Sequence, residues 1–496
     1  MKYYSQHQTE LFNDLQDSLK KLNKGNRWIM LADALPWAEI EMEYNKRLRN
    51  QRSGAGNKPA RMVVSAFIVK HMMNLSDEET IMMIQENPYM QYLAGLSEFQ
   101  ATPIFTPELL TIARGRLGEE FFNRLTLMVA QAGRAAKGGA GNSDGDGYTD
   151  VDGERHEGVM KIDATCADAE IRFPTDINLL EDGSREVERL TQKVCGRLGR
   201  KMPQTQRGQS RSTFIKYTKK KHKGAKLGRE TRYRQIHFLE EDLNTLMDIV
   251  GKVPSETINK ILKPRDLRNL EATLTMLSQQ KGMLSEGTRT CADRIVSIFQ
   301  PHVRPIVRGK AKAKTEFGAK VGLSVVNGYD FIDTISWDAY SESSDLLKQI
   351  ESYKTRFGFY PAEVQADKIY LNRDNRKLLK KLNINCYCAP LGRPPKNPDP
   401  ALDWQRYRAS CERNEVEGAF GTGKRRYRAN NIRAKLPDTA RSWIAGCFFA
   451  KNLKKFLRDL LLSIFEILAG FVAENRVFVL RPAPVAIYPT LGKFAA

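Results

Sequence analysis

The sequence lacks an apolar run long enough to cross a membrane. Its strongest candidate, residues 460–472, is shorter than the roughly 20 residues that a transmembrane helix needs, and it carries Glu466 in its middle. Residues 1–12 also lack the apolar core of a signal peptide. We therefore expect a soluble, cytoplasmic chain in which residues 460–472 form a buried or interface helix.

Cysteine is scarce and irregularly spaced. The chain has 7 cysteines, with one Cys-x-Cys at Cys386 and Cys388 and no paired Cys-x-x-Cys. This pattern indicates neither a disulfide framework nor a zinc site, and it is typical of a reducing compartment.

Acidic residues are too few to balance the basic ones. The chain has 79 Lys+Arg against 58 Asp+Glu, a formal net charge of +21. A surplus of this size suits a polyanion, because each phosphate neutralised by Lys or Arg releases a condensed counterion. Basic proteins without a nucleic-acid partner also exist. An RNA-binding role would need a motif, and no RNP, KH or zinc-knuckle pattern is found.

The densest basic block lies at residues 193–234, where Glu230 is the only acid. Its strongest cluster is Lys219, Lys220, Lys221 and Lys223. A solvated surface or arm would explain such a block, but so dense a charge repels itself unless an anion is near. We predict that these four lysines contact DNA phosphates.

The first part of the chain has helical patterns. Residues 10–133 read as helices, and Ser76 with Glu79 forms a capping box that opens one of them. Residues 135–157 are rich in Gly and Asp and are predicted to be a linker. Asn142, Asp144 and Asp146 match the start of a calcium loop, but Gly153 stands where the bidentate Glu is needed, so a solvated linker is favoured.

Strand patterns appear only after this linker. The first strand, at residues 159–166, is expected to end near Asp163, and residues 183–300 are then largely helical. Asn327-Gly328 predicts a hairpin turn. The hairpin strands and the later elements are predicted at residues 317–326 and 331–337 (strands), 343–357 (helix), 362–367 (strand), 372–382 (helix), 385–389 (strand), 405–420 and 439–468 (helices). This order predicts an α/β fold, a ribonuclease H-like mixed sheet flanked by helices and interrupted by a basic helical insertion.

Three acids form a candidate catalytic set. Asp163 and Asp367 are predicted at the carboxyl ends of strands, where open α/β sheets place their chemistry, and Glu417 lies on a predicted helix. Hard oxygen ligands of this kind can hold two Mg²⁺ ions roughly 4 Å apart for phosphoryl transfer. Taken alone, a strand-end Asp is more often a turn former than a metal ligand.

The residues around Glu417 carry a more specific pattern. Arg413-x3-Glu417-x6-Lys424 resembles the signature of DDE transposases, and the chain as a whole is similar to the insertion-sequence-five family. The resemblance rests on residues 35–44 with 75–96, on 161–180, on 309–324 with 357–376, and on the Glu417 helix through 445–456. Two positions depart from the pattern. Ser410 stands where a Tyr is usual, and Ile369 stands where a small residue is usual.

This resemblance implies an active enzyme that cleaves transposon ends and transfers the freed 3′-OH to target DNA. It implies Asp163, Asp367 and Glu417 as catalytic ligands of two Mg²⁺ or Mn²⁺ ions, and Arg413 and Lys424 as DNA-phosphate contacts. On the helix Arg413 and Glu417 share a face, whereas Glu415 points elsewhere. Implied partners are the terminal inverted repeats, the target DNA and a second copy in a synaptic homodimer, at the nucleoid of a prokaryotic cell.

We predict five regions. They are a helical DNA-binding domain (1–135), the linker (136–157), a catalytic domain (158–182 and 303–456), the insertion (183–302), and a C-terminal helix and tail (457–496). Two other functions stay open at this point. One is a ribonuclease H-like nuclease or junction resolvase, and the other is a catalytically silent DNA-binding protein derived from a transposase.

Overall fold

The N-terminal region is helical, as its sequence predicts. The computed structural model describes residues 19, 21–48, 56–136, 147–307, 315–392 and 399–474, with side chains described as far as residue 463. The first six helices are α1 (Arg27–Ala34), α2 (Trp37–Asn45), α3 (Ala60–Met73), α4 (Asp77–Glu86), α5 (Pro88–Leu93) and α6 (Glu108–Ala136).

Local hydrogen bonds explain where α4 begins and where α6 is broken. The predicted capping box is confirmed at α4, since Ser76 Oγ accepts from Glu79 N at 3.0 Å and the Glu79 carboxylate accepts from Ser76 N at 2.7 Å. Helix α6 is broken at Gly118, whose φ of 68° is not helical. There the Gly118 N–H donates to Ser442 Oγ at 2.9 Å, so the break is tied to the C-terminal part of the chain.

The end of the predicted linker is a packed hairpin. Strands β1 (Tyr148–Thr149) and β2 (Arg155–His156) pair antiparallel. His156 is fully buried, and its ring stacks 4.8 Å from Tyr148 and 5.7 Å from Tyr360. Residues 137–146, which hold Asn142, Asp144 and Asp146, lie outside the described residues.

Five strands form one mixed sheet, which confirms the α/β class. They are β3 (Val159–Asp168), β4 (Arg304–Val307), β5 (Thr315–Val326), β6 (Tyr329–Ser336) and β7 (Glu363–Ala366). Strand β5 pairs antiparallel with β3 on one side and with β4 and β6 on the other. Strand β7 lies beyond β3 and is parallel to it.

The β5–β6 hairpin turns where the sequence predicts. Asn327 and Gly328 have φ values of 51° and 77°, the left-handed pair that a two-residue hairpin turn requires. One predicted strand was wrong. At residues 385–389 the structure has a single bridge, between Asn385 and Glu363, because the loop leaves the sheet at once.

The insertion between β3 and β4 is helical and has a core of its own. Its helices are α7 (Asp176–Arg197), α8 (Arg207–Lys219), α9 (Ala225–Gly251), α10 (Ser255–Ile261) and α11 (Pro264–Ser285). This core is an apolar cluster formed within the insertion, and its fully buried residues include Leu180, Leu190, Leu239 and Leu246. The predicted insertion boundary at residue 183 therefore falls inside α7.

The remaining helices close the sheet on both faces. They are α12 (Leu346–Phe357), α13 (Arg373–Lys381), α14 (Pro400–Arg426) and α15 (Pro437–Glu474). Helix α15 packs against α6, α3 and β6, so the N-terminal helices share one continuous apolar cluster with the sheet. Within the described residues, no helix is long and apolar enough to span a bilayer.

Candidate active site

Asp163 and Asp367 stand side by side on neighbouring strands. The parallel pairing of β3 with β7 ends at Ile162 and Ala366, and each aspartate is the next residue along the chain, Asp163 within β3 and Asp367 directly after β7. Because paired residues share a face of the sheet, the two aspartates face the same side. The register thus brings together two acids that are about 200 positions apart in the sequence.

The prediction that the first strand ends near Asp163 was wrong. Strand β3 continues to Asp168, since its other edge stays paired with β5 as far as the Asp168–Gly318 pair. Only the parallel partner β7 stops, and Asp367, which was predicted to close this strand, is the first residue after it. Asp163 is therefore a mid-strand residue at the point where one neighbouring strand ends.

Helix α14 covers this face of the sheet. Arg413 Nη1 lies 3.8 Å from Asp163 Oδ2, and Arg413 Nη2 donates to Glu417 Oε1 at 3.0 Å. One guanidinium therefore links two of the three predicted carboxylates. Glu417 is 57% exposed, so its carboxylate is open to solvent and to a ligand.

Glu415 has a different environment from Glu417. Its Oε2 accepts from Lys161 Nζ at 2.9 Å, and Lys161 lies on β3 two residues before Asp163. Gln365, on the same face, donates to Glu412 Oε2 at 2.6 Å. These contacts fix the rotation of α14 above the sheet, with Glu415 bound to Lys161 and Glu417 bound to Arg413, which also approaches Asp163.

The electrostatics of Asp163 suit a site that needs positive charge. The pKa of its carboxyl is raised to about 6, chiefly by burial, and the nearby Glu342 and Asp367 carboxylates act in the same direction. The Ala164 N–H, which donates to Asp163 Oδ1 at 2.8 Å, and the Arg413 guanidinium act in the opposite direction. A divalent cation would relieve the crowding of carboxylates, and oxygen donors are what Mg²⁺ prefers.

Sequence reasoning missed Glu342. It lies in a 3-10 turn just before α12 and forms an ion pair with Lys320 at 3.1 Å. No motif surrounds it in the sequence, and only the folding of this turn beside β3 brings it near Asp163.

The other predicted DNA contacts lie apart from the aspartates. Lys424 is half-buried in the last turn of α14, about 16 Å along the helix from Arg413. Lys219 ends α8, and Lys220, Lys221 and Lys223 follow it in the exposed loop before α9. The structure therefore brings together Asp163, Asp367, Arg413 and Glu417, whereas the lysine cluster lies on the insertion.

A second group of possible metal ligands lies farther along β3. Ligand atoms of Cys166, Asp168 and Glu316 all fall within 4.8 Å of one another. Cys166 and Asp168 differ from Asp163 by an odd number of strand positions, so they lie on the opposite face of the sheet. All seven cysteines are free thiols.

Two protein-family models match parts of this chain. A family model described as "Transposase DDE domain" matches residues 364–454, which include Asp367, Arg413 and Glu417. A second, described as "Transposase domain (DUF772)", matches residues 16–115. Asp163 lies outside both matches.

One curated relative is similar over part of its length. It is "Uncharacterized protein ORF8 in nfe locus" of Rhizobium meliloti, 28% identical over 128 residues. The alignment covers 26% of this chain and 60% of the relative. No solved structure matches.

Proposed function

Since this chain belongs to the DDE transposases, we propose that it cleaves DNA at the ends of a transposable element and transfers the freed 3′-OH to target DNA. Asp163, Asp367 and Glu417 are the proposed ligands of two Mg²⁺ or Mn²⁺ ions. The observation that carries the proposal is the pairing of β3 with β7, which sets the two aspartates side by side under the helix that bears Arg413 and Glu417.

The donor set fits hard divalent cations. Asp163, Asp367 and Glu417 offer carboxylate oxygens, and burial, together with the carboxylates around Asp163, disfavours its ionised form unless a cation is near. When bound, two such ions activate an attacking oxygen and stabilise the leaving oxygen of an in-line displacement. The chain itself must keep Asp163 ionised and hold α14 in register above the sheet.

Arg413 is the proposed phosphate contact. Its guanidinium lies between the Asp163 and Glu417 carboxylates, and a DNA phosphate can replace one of them as the partner of its planar donor fork. Lys424, farther along the same helix, is proposed to bind a second phosphate. Neither residue needs to form a covalent bond to DNA, because water and then the 3′-OH are the nucleophiles.

The sheet order supports a ribonuclease H-like catalytic fold. Three antiparallel strands, β6, β5 and β3, are followed by β7 parallel to β3, and the aspartates stand where β7 ends. The helical insertion enters after β3. Lys219, Lys220, Lys221 and Lys223 are proposed to bind phosphates without sequence choice, and the N-terminal helices to read the terminal repeats.

The proposal is tested with the full-length chain and a supercoiled plasmid that carries the element ends. With Mg²⁺ we expect nicks at the ends and joined products in which the 3′-OH has attacked new DNA. Cleavage without joining would instead favour a nuclease. End binding without cleavage would favour a silent DNA-binding protein, and a synaptic complex containing two copies would support the homodimer.

A further inference from the structure

Two concave surfaces flank the N-terminal half of α9 in the insertion. The first, of about 550 Å³, lies between the start of α7, the α8–α9 loop and the end of α11. The second, of about 660 Å³, lies between α9 and the end of α11. Both are lined by Arg229 and Leu284, so the two surfaces adjoin, and we call them together the α9 groove.

The α9 groove carries cations that have no ion-pair partner among the described residues. Lys223, Arg229, Arg234 and Arg289 line it and are exposed, and none forms an ion pair with any residue that the structure describes. Its acids differ in this respect. Asp176 is held by Arg232 and Arg294 at 3.1 and 2.7 Å, and Glu240 by Lys281 at 2.5 Å, so Glu230 is the one lining acid that has no ion pair among the described residues.

The start of α9 adds backbone donors to the same surface. Gly224 precedes the helix and gives it no side-chain cap, and the first turn has no acidic residue. Unbonded N–H groups at a helix N-terminus favour an anion, and Lys223 and Arg229 stand beside them. This end of the α9 groove therefore suits a phosphate.

Two tyrosine rings lie among these cations. Tyr233 is 64% exposed and lies one turn after Arg229 on the same face of α9, about 6 Å along the axis. Tyr217 lines the other end, with Lys223 Nζ 5.3 Å from its ring centre. Cations that track a backbone, with exposed rings between them, are the pattern of single-strand binding, in which bases stack on the rings.

We infer that the α9 groove binds a stretch of single-stranded DNA. A duplex hides the faces of its bases, so it could use the cations of the groove but not the face of Tyr233. The choice of DNA over another single-stranded nucleic acid rests on the proposed function, because DNA cleavage and joining expose unpaired DNA strands. The binding of a single strand rests on the groove itself.

The charge part of the inference is tested by binding of a fluorescent oligothymidylate to the full-length chain over a range of salt concentrations. The double variant Arg229→Gln, Arg289→Gln should bind at least about tenfold more weakly. Its log–log salt slope should fall by about 0.7 for each phosphate that the variant no longer neutralises. The matched control, Lys252→Gln with Lys260→Gln, removes two exposed cations elsewhere in the insertion and should bind like the unmodified chain. Equally weakened binding in both variants would overturn the α9 groove as the binding site.

The stacking part is tested at Tyr233. Tyr233→Leu should weaken oligothymidylate binding about fivefold or more, whereas Tyr233→Phe, which keeps the ring, should not. Met247→Ala, at an exposed apolar residue of the same helix, is the control and should have no effect. Equal effects of the Leu and Phe variants would contradict stacking.

Two further probes identify the ligand. A duplex of equal length should lose little affinity in the Tyr233→Leu variant, so an equal loss for the duplex would overturn the single-strand assignment. Tighter binding of an RNA strand than of the DNA strand would overturn the choice of DNA. If the chain fails to cleave element ends but the groove variants still lose oligothymidylate binding, the proposed function fails and this inference stands.

Discussion

Glu415 and Glu417 are two residues apart on α14 and have opposite surroundings. Glu415 is tied to Lys161, which anchors the helix to β3. Glu417 is bonded to Arg413, the residue that also approaches Asp163. A catalytic role for Glu417 and an anchoring role for Glu415 should therefore be separable by substitution.

We predict that Glu417→Gln lowers end cleavage by at least about 100-fold, because an amide is a poor ligand for a hard cation. Glu415→Gln should retain cleavage within about tenfold, since it loses only a half-exposed ion pair. Cleavage rates at saturating Mg²⁺ measure both. A larger loss in the Glu415 variant would show that the roles of the two glutamates are reversed.

His71 is a buried residue whose charge state links stability to pH. Burial, with the nearby Lys70 and Arg114, lowers its pKa from 6.5 to about 3. Its ring is stacked 6.5 Å from Phe67 and lies edge-on 5.5 Å from Trp443 of α15. The folded state therefore keeps His71 neutral over a pH range in which the unfolded chain binds a proton.

We predict that His71 makes the protein less stable as the pH falls from about 6.5 towards about 3. The unfolded state binds the extra proton in this window, so the free energy of unfolding should lose up to about 1.4 kcal/mol per pH unit from this group. Denaturant unfolding of the unmodified chain and of His71→Phe measures the difference. If the free energy of unfolding changed equally with pH in both proteins, His71 would not be the group responsible.

At the scale of elements, the sequence predicts the positions of helices and strands better than it predicts how they pair and pack. Local sequence patterns mark where some elements begin and end, and they predict the Asn327-Gly328 hairpin, the Ser76 capping box and α14. The length of β3 does not, because its continuation past Asp163 depends on pairing with β5, more than 150 residues away. Glu342 near Asp163 is likewise a product of tertiary folding.

The contact between α3 and α15 is tight at one glycine. A Cβ on Gly446 would lie 2.6 Å from His71 Nε2, and this ring is held by Trp443 and cannot move away easily. Gly446→Ala should therefore lower the free energy of unfolding by about 1–3 kcal/mol. Gly282→Ala, on α11 with nothing within 4 Å, should raise it by about 0.5–1 kcal/mol. Unfolding curves that show no difference between the two variants would contradict the packing.

At the scale of the whole molecule, the N-terminal helices and the sheet share one apolar cluster through α15. DNA recognition by the N-terminal helices stays a prediction, as do the boundaries of the five regions. Because these helices are packed on α15, footprinting of the terminal repeats is best done with the full chain.

The positive charge of the insertion predicts a salt dependence. Replacing Lys219, Lys220, Lys221 and Lys223 by Gln should lower the log–log salt slope of duplex binding by about 0.9 for each phosphate that these lysines neutralise. A control that replaces Lys252, Lys260, Arg265 and Lys348, four exposed cations elsewhere, removes the same charge. A slope that changes equally in both variants would show that only net charge matters.

We propose that Asp163 and Asp367 hold the metal ions with which the chain cleaves DNA. The most direct measurement is Mg²⁺-dependent nicking of element ends by Asp163→Asn and by Asp367→Asn, with end binding measured on the same protein. We predict that each variant binds the ends like the unmodified chain and loses at least about 10³-fold of the cleavage rate. Full cleavage by either variant would contradict the account.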